Sequence, residues 1–386
     1  MMLRRASGTV VTLVAIGWLG AATARATSIT ITPGPGLAAN AAALAAFDRA
    51  AASWGARLAD PITVNINADL TDMGSPTVLG STTSVFLAGG YDLIRDQMVA
   101  DAAGDPHDAV VASLPTSSQF SAFVEDGFGI RSAMAATKAN LKALGFQDLD
   151  LLFGESDATI TFNSGFSFDF DNADGVGAGL YDFETVARHE IEHVLGFVST
   201  VDTVDYYLAL GEPIDSYLYP LDLFRFGSMI PTTTTEFTTY PRSLLTGGRS
   251  SFADLTDVWQ FSTGFYTGDG RQASHWKDDA LTGFYVGIMD PTLASGTTEP
   301  ITDADLRALD VIGWETQPVP EPTSLLLLGT GVVGAVGTTL RQHRQRRAAV
   351  SRWRNLSGSI RMTSHGIDDK SPFSRSLPGS SSHFWA

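Results

Sequence analysis

The feature that most constrains this chain is the stretch Ala187-Arg188-His189-Glu190-Ile191-Glu192-His193-Val194-Leu195-Gly196-Phe197. It holds two histidines four residues apart, with a glutamate directly after the first. On a helix of about 3.6 residues per turn, His189 and His193 stand one turn apart on one face, where two imidazoles can reach a single zinc ion. Glu190 projects beside them, placed to take a proton from a water at that ion. The surroundings favour a helix: Phe183, Val186, Ala187, Ile191, Val194 and Leu195 recur at helical intervals, Asp182 can cap the start and Gly196 can end it. Glu192 falls where a solvated face is expected, with support of a metal ligand as its alternative role. Taken alone, the pattern also fits an amphipathic core helix with two hydrogen-bonded histidines.

The body reads as α+β. Ser28 to Thr32 is extended, and Ala39 to Trp54 carries an apolar stripe of Leu44, Phe47, Ala51 and Trp54 at helical spacing. Pro61 to Asn67 alternates as a strand. Val85 to Ala103 suits a helix with Leu93, Ile94, Met98 and Val99 inward. Asp108 to Leu114 fits strand or helix, and Ser132 to Leu144 suits a helix. Asp157 to Phe162 and Phe166 to Phe170 suit strands, leading into the acidic turn Asp171 to Gly175. A small mixed sheet with the histidine helix beneath it follows from that order. From Val198 to Gln272 helical signals fade into Gly, Thr, Ser, Pro and aromatic residues, a loop-rich half suited to shaping a binding site. A last helix runs from Thr302 to Trp314, and the domain is expected to end near Gln317.

With 44% hydrophobic residues in 386, the chain has ample material for a core. Residues 1–26 have the form of a secretory signal: Arg4 and Arg5, an apolar run from Val10 to Leu19, then Ala24-Arg25-Ala26. Between Thr27 and Leu340, 13 Lys and Arg face 40 Asp and Glu, a formal charge of −27. That argues against binding of nucleic acid or an anionic membrane by the body and suits an exported protein. Calcium is a candidate cofactor, since Asp169, Asp171 and Asp174 resemble a calcium loop, although Ala173 breaks the EF-hand spacing. Without a single cysteine, the fold must rely on its core and bound metals rather than disulfides.

Toward the other end, Pro320-Glu321-Pro322 precedes an apolar, glycine-rich run from Ser324 to Leu340 and the cluster Arg341, Arg344, Arg346 and Arg347. Physically this is a short membrane-spanning candidate with a positive flank, able to anchor the chain transiently or as a plain C-terminal anchor. Its layout resembles the PEP-CTERM sorting signal. That resemblance implies recognition and removal by a sorting machinery, in a Gram-negative bacterium that exports the protein to an exopolysaccharide-associated surface. Residues 318–347 would form the signal and 27–317 the working domain. The remaining 348–386 is polar and basic, with no helix or strand periodicity, and reads as disordered.

Catalytic zinc normally has three protein ligands and an open position. Four of the seven histidines, His107, His189, His193 and His275, lie in the body. His189-Glu190 through His193 to Gly196, with Met289 in Ile288-Met289-Asp290-Pro291, resembles the metzincin zinc peptidases, whose motif continues as H-E-x-x-H-x-x-G and whose metal lies above a methionine turn. Most metzincins place a third ligand where this chain has Ser199. The leishmanolysin-like branch instead inserts a long segment and uses a histidine in a His-Trp context, as in His275-Trp276. The resemblance therefore implies His275 as third ligand, Met289 as hydrophobic floor and Glu190 as general base of a zinc-dependent endopeptidase acting on proteins or peptides.

Asp202, just past the glycine turn, is the alternative third ligand. His107, in an Asp-Pro-His-Asp loop, reads as solvated. Tyr285 suits core packing, or a hydrogen bond to a developing oxyanion. A rival of another class is a non-catalytic, zinc-stabilised protein of the surface or exopolysaccharide matrix; a zinc hydrolase of non-peptide substrates is a further one.

Overall fold

The computed structural model describes residues 26–317 and the backbone of Ser382–Trp385. In chain order the main elements are β1 (Ser28–Pro33), α1 (Ala41–Gly55), β2 (Thr63–Thr71), β3 (Gly80–Ser84), β4 (Phe86–Gly90), α2 (Tyr91–Asp101), β5 (Gly129–Thr137), α3 (Lys138–Ala143), β6 (Ala158–Asn163), α4 (Phe183–Leu195), α5 (Thr200–Leu210) and α6 (Asp303–Asp310). Strands β1, β2 and β6 are parallel neighbours, and β3 joins β6 antiparallel. The result is the mixed α+β arrangement expected, built on small mixed sheets. The signal and sorting segments, with the membrane-spanning candidate 324–340, lie outside the described residues. Among the described residues no helix is long and apolar enough to cross a membrane.

Alternation in β2 and β6 turns Val64, Ile66, Ile160 and Phe162 inward, all at most 1% exposed. Against them pack Phe47 and Trp54 of α1 and Phe183, Val186, Ile191 and Val194 of α4, each fully buried. Phe162 lies between Phe47 and Phe183, with ring centroids 5.2 and 4.4 Å away. Trp54 donates its indole N–H to the Arg188 carbonyl (2.9 Å), fixing α1 against α4. Covered on nearly every side, α4 buries Glu192 completely, so the solvated face expected there does not exist.

Elsewhere, pairing overrides local propensity. Ser132 to Ala136, alanine-rich and expected to be helical, lies in β5 between β4 and the strand Asp215–Leu218. The helix starts only at Lys138, where Thr137 accepts the Asn140 N–H as its cap. The helix expected over 85–103 likewise splits into β4 and α2, leaving Leu93 59% exposed instead of inward. Of Phe166 to Phe170 only Phe168–Asp169 pairs, parallel to Tyr181–Asp182. Asp108 to Leu114 resolves to a single 3-10 turn, Val111–Ser113.

The half expected to be loops contains α5, capped by Ser199. A hydroxyl cap and a buried face of Val201 and Val204 compensate for its β-branched residues. Finally, Ser382–Trp385, within a tail expected to carry no strand, pairs antiparallel with β3 from Thr83 to Gly80. Unpaired N–H and C=O groups on a sheet edge accept extended backbone whatever its side-chain pattern.

Candidate metal centre

Helix α4 presents the first two histidines. Asp182 caps it, accepting N–H groups of Glu184 and Thr185, and is itself held by Asn172. Gly196 ends it at φ +124°, a conformation L side chains rarely adopt, and the chain turns so that the Phe197 carbonyl accepts His193 Nδ1–H at 2.8 Å.

His275 arrives from a distant segment held between two others. Ser262 N–H donates to the His275 carbonyl (3.0 Å) and Trp276 N–H to that of Met289 (2.9 Å). Trp276 is fully buried, stacked on Phe261 and edge-on to Phe197, and its indole N–H donates to Asp305 Oδ1 (2.8 Å). The other oxygen of Asp305 accepts Ile288 N–H (2.9 Å), which draws the turn Gly287 to Asp290, with buried Met289, toward α6.

Three imidazoles thereby meet. Each ring centroid lies 5.0 Å from the other two, and all three residues are fully buried. Every Nδ1 faces a backbone carbonyl: His189 that of Ile288 (2.7 Å), His193 that of Phe197 (2.8 Å) and His275 that of Gln272 (3.2 Å). Donation from Nδ1 leaves Nε2 as a lone-pair acceptor in the neutral ring. His189 Nε2 and His275 Nε2 stand 3.1 Å apart. Two lone pairs at that distance repel unless a cation lies between them, and about 3.3 Å separates two nitrogens on a tetrahedral zinc. The donor set fits that ion.

Glu190 follows His189 on α4 and is fully buried. Thr82 of β3 donates to its Oε2 at 2.7 Å, while Oε1 has no partner among the described residues. Burial pushes the Glu190 carboxyl up to about 8 against the lowering effect of the Thr82 bond. A nearby dication acts in the lowering direction too. Strand and helix approach closely here because position 80 is glycine: a Cβ on Gly80 would stand 2.8 Å from Glu190 Oε1. Glu192 is also pushed well up, by burial and by the Asp305 charge.

Residues 318–342 match the PEP-CTERM protein-sorting motif. The C-terminal segment is thus a substrate for recognition by a sorting machinery, and the chain is addressed for export to the surface of a Gram-negative cell. In comparisons with curated proteins and with solved structures, nothing matches.

Of the remaining candidates, Asp202 does not join the histidines: its carboxylate is taken by the Ala273 and Ser274 N–H groups at 2.5 and 3.0 Å and by the Ser274 hydroxyl. Tyr285 is half-buried, its hydroxyl donating to the Pro300 carbonyl at 2.8 Å. His107 is exposed. Asp169, Asp171 and Asp174 form no metal-ready group; Asp169 and Asp171 instead accept N–H bonds within their own turn. A different trio, Asp278, Asp279 and Asp290, does bring carboxylate oxygens within 4.8 Å of one another. Backbone N–H groups, Thr292 and Arg271 already serve Asp278 and Asp290.

Sequence reading missed Thr82, which sits in a short polar strand without a hydrophobic signature, and Asp305, which is one of several acidic residues in the first turn of the last helix.

Proposed function

We propose that this protein is an exported zinc-dependent endopeptidase of metzincin-like type, with His189, His193 and His275 as metal ligands and Glu190 as general base. The supporting observation is the convergence of three buried imidazoles, each oriented by a carbonyl at Nδ1, with the buried Glu190 next to His189 on the same helix. A bound zinc ion supplies Lewis acidity, polarising a carbonyl and easing the deprotonation of water. Glu190 accepts the proton from the attacking water and returns it to the leaving amine. Thr82 keeps one oxygen of Glu190 fixed, so the other is free for that transfer. An extended peptide suits the place, because β3 lies against Glu190 at Gly80 and its outer edge already pairs with the backbone of Ser382–Trp385.

Complete burial of all four residues favours a second reading, a zinc-stabilised surface protein without turnover. Zinc content and casein hydrolysis separate the two in the wild type, Glu190→Gln and His275→Ala. The peptidase reading expects one zinc and cleavage in the wild type. Glu190→Gln should keep zinc and lose at least about 100-fold in rate, and His275→Ala should lose tight zinc. Zinc without cleavage in the wild type supports the structural reading instead.

A further inference from the structure

His189 and His193 owe their mutual placement to helical geometry, whereas His275 follows Gly196 by 78 intervening residues and has no such register. Its C-terminal side is fixed by the bonds of Trp276 to Met289 and of Lys277 N–H to Gln260. On the N-terminal side the fixing groups are polar and buried. Asp202 Oδ1 accepts Ala273 N–H at 2.5 Å and Oδ2 accepts Ser274 N–H at 3.0 Å. Ser274 Oγ accepts Ser199 N–H (2.8 Å), and Ser199 Oγ donates to Asp222 Oδ1 (2.6 Å). Arg225, fully buried, donates to the Ala273 carbonyl.

The nitrogen that Asp202 grips at Ala273 belongs to the same peptide unit as the Gln272 carbonyl, the group facing His275 Nδ1 at 3.2 Å. A peptide unit is planar, so holding its N–H aims its C=O. We propose that Asp202 is a positioning residue for the third ligand: by gripping the Gln272–Ala273 peptide it sets the ring orientation and tautomer of His275. The arrangement is carboxylate, peptide, imidazole, with the peptide group standing where a direct carboxylate partner often sits behind a metal-binding histidine. This inference rests on the metal-centre reading above. It converts Asp202 from a rival of His275 into the group that makes His275 a competent ligand.

Asp202→Asn tests it. The shape is kept, but an amide NH₂ now faces one of the two backbone N–H donors. Asp205→Asn is the control, since Asp205 grips Tyr266 and Thr267 N–H groups in the same insertion without bonding the His275 segment. Zinc affinity is read by chelator competition on the full chain, and coordination geometry by visible absorption of the cobalt-substituted protein. Asp202→Asn should weaken zinc about 10- to 100-fold and alter the cobalt spectrum at saturating metal; Asp205→Asn should leave both near wild type.

A purely loop-stabilising role would lower apo stability and leave the saturated cobalt spectrum unmoved, and that result overturns the inference. So does wild-type affinity in Asp202→Asn alongside lost zinc in His275→Ala. If the wild type itself holds no tight zinc, the metal-centre reading falls first and takes this one with it. Should Asp202→Asn not fold, Asp202→Glu, which keeps the charge but displaces the carboxylate from the Ala273 and Ser274 N–H groups, decides: a shifted cobalt spectrum supports the proposal and an unchanged one refutes it.

Discussion

Replacing Thr82 by valine removes one hydroxyl and little else. Valine keeps the β-branch that suits β3 and nearly the same volume, so the strand and its contact with α4 survive. What disappears is the donor 2.7 Å from Glu190 Oε2 and 2.9 Å from the Glu190 carbonyl, two acceptors that share a single proton. A hydrogen bond to a charged group contributes about 1.5–3 kcal/mol, and at about 1.4 kcal/mol per decade that corresponds to a loss of roughly 10- to 150-fold. The loss should fall on kcat, because on the proposed mechanism Thr82 aligns the base rather than holding substrate or metal. KM and zinc stoichiometry should stay near wild type. Peptide hydrolysis with bound zinc measured in parallel is the assay, and Thr82→Ser, which restores the donor, should recover much of the rate. A Thr82→Val protein that turns over within two-fold of wild type, or that loses zinc, refutes the idea that this hydroxyl positions Glu190.

Gly196→Ala should destabilise the fold by about 1–3 kcal/mol, because its φ of +124° strains any L residue and the new Cβ would stand 3.0 Å from Ile312 Cδ1; an unchanged urea midpoint would contradict this. Asp60 is buried, and burial first, then the Asp101 and Glu315 charges, push its carboxyl up to about 7 against the bond from Glu315 N–H. A raised carboxyl pKa means the folded state binds more protons from about pH 4 to 7, so this group's contribution to stability falls as pH rises through that window, by at most about 1.4 kcal/mol per pH unit. Asp60→Asn removes that slope, so its stability relative to wild type should increase from pH 5 to 7.5 in urea titrations; a difference that stays flat sinks the assignment.

Much of the fold was legible where local pattern and tertiary role agree. The helix of His189 and His193, its Asp182 cap and its Gly196 end could be read from residue types alone, as could β2 and the core of β6. Legibility failed where partners distant in sequence decide. Ser132 to Ala136 became strand because β4 and Asp215–Leu218 flank it, and no local signal records those neighbours. Glu192 has the polarity of a surface residue, yet the helix that carries it is enclosed. Asp202 shows in the sequence only as a carboxylate near the glycine turn. Which donor it would meet depended on where Ala273 and Ser274 return, and spacing carries no such information.

The long excursion between His193 and His275 also bears on how the unliganded chain behaves. Permanently tying two points about 80 residues apart would strip roughly 4–5 kcal/mol of conformational freedom from the unfolded ensemble. A chain without cysteine has no covalent means of doing so. On the zinc reading proposed above, coordination at His275 would tie the same two points reversibly, and only in the folded state, so the tether would tighten as free metal rises and vanish under chelation. Before it meets metal, the excursion from Val198 to Ser274 should therefore exchange its amide hydrogens faster than α1 and β2, and metal should slow that exchange most in the residues flanking His275.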